Sequence, residues 1–174
     1  MRERVVLVGF MGSGKSTVGP LVAHALGFEF RDLDAWIEAR TGLSVPRIFA
    51  ERGEAAFRSE ELSWAREMER LPRLVVAAGG GAFAQPQTRF ALSSGAFTVF
   101  LRVDLATVLQ RISFDGGRPL AVGRERIEAL FAERQPSYRL ADFEVDAAAA
   151  PEAVAREIVN AFREEGAAAV RTRG

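Results

Sequence analysis

Nine residues near the N-terminus, Gly9-Phe10-Met11-Gly12-Ser13-Gly14-Lys15-Ser16-Thr17, have the types and spacing to hold a phosphate chain. They follow the apolar run Val5-Val6-Leu7-Val8 and precede a helical pattern from Val18 to Leu26. A strand, a glycine loop, Lys-Ser and a helix in that order form a P-loop. Its backbone N–H groups, those of Gly12, Ser13, Gly14, Lys15, Ser16 and Thr17 among them, would point at phosphate oxygens, aided by the positive end of the new helix. Lys15 can reach the outer phosphates, and the Ser16 hydroxyl can ligate Mg²⁺. Of 23 lysine and arginine residues, only Lys15 is lysine. A compact ammonium fits a phosphate cradle where the larger planar guanidinium would not sit the same way.

Other groups of this kind lie further on. Asp32 and Asp34, two apart after the alternating stretch Phe28 to Arg31, read as acids at a strand end with side chains pointing the same way. One could hold Mg²⁺ through water while the other meets a substrate hydroxyl. Gly79-Gly80-Gly81 would let backbone approach a ligand and donate N–H bonds. Arg58 has Glu61 three positions on, a spacing that can steady a guanidinium for a carboxylate. Arg118 lies in a long, aperiodic, glycine-bearing stretch and could swing onto phosphates. Arg139 follows Tyr138 near a helix end. His24, the only histidine, reads as a helix surface residue.

Composition bounds the possibilities. The 174 residues suit one domain, residues 1–174, and nearly half are apolar. Zero formal net charge argues against a general nucleic-acid binder. The absence of cysteine excludes disulfides and thiolate metal sites. The first apolar run is too short for a signal peptide, and no run reaches membrane-spanning length, so a soluble cytoplasmic protein is expected.

The elements that must position these groups alternate. Helices are expected at 35–40, from Ser44, at 54–70, 85–92, 104–111, 124–134 and 151–163. Strands are expected at 74–78, 97–101 and 143–146, besides those at 5–8 and 28–34. Residues 112–124 read as a lid and 167–174 as a frayed tail. Pro20 interrupts the first helix without an evident functional reason. Strand–helix alternation means an α/β fold with a parallel sheet covered on both faces, and ligands bind beyond the carboxyl ends of its strands.

In that order these residues resemble one family, the shikimate kinases. The likeness covers the Gly9–Thr17 loop, Asp32-x-Asp34, Gly53-Glu54 with Phe57-Arg58 and Glu61, the glycine triplet, Arg118-Pro119-Leu120, and Arg134 with Pro136, Tyr138 and Arg139. This chain has Ala78 before the triplet where the family often has Thr, and Ala121 where a second leucine is common. The resemblance implies a three-layer P-loop NTPase fold like that of nucleoside monophosphate kinases, with a five-stranded parallel sheet in the order 2-3-1-4-5 and a closing lid. It implies transfer of the ATP γ-phosphoryl group to the 3-hydroxyl of shikimate, on the route to chorismate and the aromatic amino acids, by a monomer that uses Mg²⁺ as cofactor with ATP as co-substrate. By position, Asp34 would bind the acceptor hydroxyls and act as base or orienting group. Arg58 and Arg139 would hold the carboxylate, with the Gly79–Gly81 backbone completing the pocket. Lys15 and Arg118 would stabilise the moving phosphoryl group. Ser16, with Asp32 through water, would hold Mg²⁺, and Arg111 and Pro151 would sandwich adenine. Two other readings stand beside it: another kinase of carboxylated polyols, such as a gluconate kinase, and a paralogue that binds ATP without transferring its phosphate.

Overall fold

The structure, a computed structural model, describes residues 2–114 and 123–171. The run Val5 to Val8 is apolar at every position because its strand, β1 (Arg4–Val8), is buried on both faces. Around it lie β2 (Glu29–Asp32), β3 (Leu74–Ala77), β4 (Ala96–Arg102) and β5 (Phe143–Asp146). All pairings are parallel, in the order β2-β3-β1-β4-β5, as the resemblance implies. The helices are α1 (Lys15–Leu26), α2 (Leu33–Thr41), α3 (Val45–Met68), α4 (Pro86–Ser93), α5 (Leu105–Phe114), α6 (Arg124–Tyr138) and α7 (Pro151–Arg171). They flank the sheet in groups: α1 packs on α7, and α3 packs on α2 and α4.

Register puts the chemistry at one edge. Asp32 pairs with Ala77, and Ala77 with Leu7. Parallel strands therefore deliver the loop after β1, the turn after β2 and the glycines after β3 to the same level of the sheet. The break in α3 expected from the sequence is present: Gly53, with φ 80° and ψ 168°, divides it into two helical stretches.

Some boundaries differ from expectation. The turn into α2 begins at Asp32 itself, whose Oδ1 accepts from Asp34 N at 3.0 Å and Ala35 N at 3.3 Å. Asp34 therefore sits in the first turn of a helix, not on a strand. Helix α6 runs past Arg134 to Tyr138 despite Pro136; proline removes one bond but its φ suits a helix that ends two residues later. Helix α7 continues to Arg171, beyond Arg163 and into the expected tail, as its alanine-rich end favours. Arg118 and residues 115–122 of the expected lid lie outside the described residues. Within the same segment, 112–114 complete α5.

Arg4 ties the far edge together. Its buried guanidinium donates to the carbonyls of Met68, Glu69 and Ser94, the ends of α3 and α4. Arg4→Met should lower unfolding stability by about 2–3 kcal/mol in denaturant titration, because it strands buried carbonyls.

Candidate active site

The phosphate cradle is built by the backbone. Gly14 caps α1 with φ 95°, a left-handed conformation that a side chain would strain. The Lys15 ammonium turns back into the loop, donating to Gly9 O at 2.8 Å and Phe10 O at 2.9 Å. Ser13 is buried behind it, while Ser16 and Thr17 face solvent at the start of α1. Arg111 of α5 leans over the cradle. Its Nη1 donates to Gly12 O at 3.0 Å and its Nη2 to Ala147 O at 3.2 Å, on the loop that leads to Pro151 at the head of α7. Arg111 thus joins the phosphate loop to the segment that precedes Pro151.

The two aspartates take separate positions. Ser16 Oγ donates to Asp32 Oδ2 at 2.6 Å, so a hydroxyl and a carboxylate adjoin at the mouth of the loop. Both are hard oxygen donors, and Mg²⁺ characteristically takes one or two such protein groups, completing its shell with water and substrate phosphates. The pair fits that ion, although among the described residues no cluster of three or more His, Cys, Asp or Glu could hold a metal alone. Asp34 turns instead toward the glycine triplet: its Oδ1 lies 2.8 Å from the point where a Cβ on Gly79 would stand.

A cationic pocket surrounds the triplet. Arg58 is held on one side by Glu54, at 3.2 Å from Nε and 2.9 Å from Nη2, and on the other by Glu61, at 2.7 Å from Nη1. Those contacts use three of five guanidinium N–H groups and leave two for a ligand. Arg58 also lies flat against the triplet, with both Nη atoms 2.6 Å from a Cβ position on Gly81. Gly81→Ala should therefore push the guanidinium away and raise KM for a carboxylate substrate roughly 10- to 100-fold. ATP affinity should be unchanged; equal losses for both ligands would contradict the placement.

A second guanidinium beside the triplet is that of Arg134, one turn before the expected Arg139. Tyr138 stacks on Phe100 with ring centroids 5.3 Å apart and donates its hydroxyl to Gly80 O, which turns one face of α6 to the triplet. Arg134, one turn earlier, shares that face. Its guanidinium lies over the Phe10 ring at 5.8 Å, and its Nη1 is 3.5 Å from a Cβ position on Gly80. Burial pushes the Tyr138 hydroxyl up to about 12, against the opposing charge of Arg134, so the phenol is neutral and free to donate. Arg139 is the residue after the helix, exposed, and has no ion-pair partner among the described residues. Its Cα lies about 100° further round the helix than that of Tyr138. The Arg-x-Pro-x-Tyr spacing of Arg134, Pro136 and Tyr138 was the signal for this face, since i and i+4 residues travel together.

Donor and acceptor sides meet at Gly80. The Cβ position there is 3.5 Å from Met11 N, in the phosphate loop, and equally far from Arg134. A small anion resting on Arg58, Arg134 and the triplet would present its other end to Asp34 and to the phosphates above Lys15.

Comparison with known proteins points the same way. A family model described as shikimate kinase matches residues 11–163. A shikimate kinase of Halorhodospira halophila is 44% identical over 166 residues, 92% of this chain and 94% of the relative. One of Methylococcus capsulatus is 39% identical over 170 residues, 95% of each. The solved shikimate kinase from Acinetobacter baumannii, in complex with shikimate, has a TM-score of 0.87 at 34% identity and covers 94% of each chain. A gluconokinase from Sinorhizobium meliloti shares the fold alone, with a TM-score of 0.68 at 18% identity, covering 99% of this chain and 98% of that one.

Proposed function

We propose that this chain, which belongs to the shikimate kinase family, transfers the γ-phosphoryl group of ATP to the 3-hydroxyl of shikimate. The observation that carries this reading is the seam at Gly80, where Arg58, Arg134 and Asp34 gather round the glycine triplet beside the phosphate loop.

Each group then has a task. The loop N–H groups and Lys15 hold the phosphates, Lys15 exchanging its carbonyl partners for the terminal oxygens. Arg111 and Pro151 flank adenine. Arg58 and Arg134 bind the shikimate carboxylate, the Gly79–Gly81 backbone lines the ring, and Asp34 orients the 3-hydroxyl and accepts its proton. The hydroxyl oxygen forms a bond to the γ-phosphorus as the bond to the β,γ-bridging oxygen breaks, leaving ADP and the phosphate ester. That transition state is loose and calls for position and positive charge more than covalent help. Arg118 is assigned the second cation on the moving group by the family resemblance alone. Ser16 and Asp32, the latter through water, would hold Mg²⁺, which supplies charge neutralisation to the phosphates. No described helix is long and apolar enough to cross a membrane; a monomer acting in the cytoplasm is assigned by the family resemblance alone.

Coupled ADP release over a panel of acceptors tests the proposal. Shikimate should support turnover, with gluconate and water giving little. Preferential use of gluconate would favour the related polyol-acid kinase, and ATP binding without turnover on any acceptor would favour a non-catalytic relative.

A further inference from the structure

The glycine triplet has its carbonyls tied back and its N–H groups open. Gly79 O accepts from Ala82 N at 3.0 Å, and Gly81 O from Ala84 N at 3.2 Å. Gly80 O accepts from the Tyr138 hydroxyl. The three N–H groups make no hydrogen bond among the described residues. Two of the carbonyl bonds are local, each closing a turn of the chain. The middle one comes from a side chain 58 positions away that has no exposed surface.

In a trans peptide the C=O and the next N–H point in opposite directions. Gly80 O, turned to Tyr138, therefore turns Gly81 N–H away from α6, and Arg58 lies against Gly81. Gly81 has φ −100° and ψ −14°. Flipping the plane between the two glycines would carry that φ to positive values, which glycine takes without strain. The triplet thus needs something to choose between two orientations. We propose that Tyr138 is a positioning residue whose hydroxyl holds the Gly80–Gly81 peptide in the orientation that offers the Gly81 N–H, and not the Gly80 carbonyl, to the acceptor's carboxylate. The inference rests on the reaction proposed above.

Without the hydroxyl, the Gly80 carbonyl would face the ring stacked on Phe100 and lack a partner. Unpaired polar groups of that kind are costly and turn to water where they can. A flipped plane satisfies the carbonyl in the open pocket, where it repels a carboxylate. Tyr138→Phe keeps the ring and its stack and removes only the donor. Shikimate KM should rise roughly 3- to 10-fold, with kcat and the KM for ATP within about twofold. The advantage of shikimate over its carboxamide, read as a ratio of KM values, should shrink by a similar factor, because a carbonyl accepts from an amide. A role confined to stability would change the acid, the amide and ATP alike.

NMR of protein labelled with ¹³C-carbonyl, ¹⁵N-glycine reads the plane without any substrate, since only Gly80, Gly81 and Gly117 follow another glycine. The Gly81 amide should give one sharp signal in the wild type and a broadened or doubled one in Tyr138→Phe. A single sharp signal in the folded variant, or an unchanged shikimate KM and acid-to-amide ratio, would overturn the proposal. Tyr138 is the only tyrosine, so ¹³Cζ-tyrosine labelling of the wild type gives a second reading that needs no variant. Its hydroxyl proton should exchange slowly with water, and fast exchange would likewise overturn the proposal. Absence of wild-type turnover on shikimate would count against the proposed reaction, while the Gly81 signal still decides whether the hydroxyl holds the plane.

Discussion

Asp34→Asn should lower kcat by roughly 10²–10⁴ while leaving folding and ATP affinity unchanged. The side chain keeps its size and one acceptor oxygen, so the first turn of α2 and the Asp32 cap should persist. The amide loses the negative charge that draws the hydroxyl proton. The loss should appear in kcat rather than KM, because Arg58 and Arg134 still hold the far end of the acceptor. Near-normal turnover by a folded Asn variant would refute the role given to Asp34. ATP affinity can be followed by calorimetry and folding by circular dichroism.

Arg134→Ala should raise shikimate KM roughly 10- to 150-fold, the cost of one charged hydrogen-bonding partner. Arg139→Ala should change it by no more than about twofold, as expected of an exposed side chain. Comparing the two variants separates neighbouring parts of one helix end. If Arg139 is the damaging substitution and Arg134 the silent one, the face of α6 turned to Gly80 is not the face that meets the substrate.

The phosphate loop was legible in the sequence because its chemistry is local. Glycine spacing, one lysine and the following helix lie within about a dozen residues, and the backbone does the work. The sheet was legible for a similar reason, since continuous apolar strands separated by helical stretches permit few arrangements. The acceptor pocket was only partly so. Arg58 and its Glu61 support are close in sequence, and the spacing predicted the contact. Which arginine of α6 enters the pocket depends on how that helix is rotated. Rotation is fixed by Tyr138 on Phe100 and Gly80, contacts across 38 and 58 positions. The parting of Asp32 from Asp34 was likewise hidden: a strand ending after Asp34 and one ending at Asp32 differ by a single cap, and that cap decides whether the two acids point together. Full burial of Glu61 was not visible at all, because a glutamate among charged helix residues reads as solvated until α2 and the glycine loop close over it.

Calorimetric titration with shikimate and with gluconate, each in the presence of ADP and Mg²⁺, bears most directly on the claim that a carboxylate pocket opens onto the nucleotide's terminal phosphate. Saturable binding of shikimate, with affinity at least about 100-fold above that of gluconate, is the predicted result. Normal ADP binding with no preference between the two acids would contradict it.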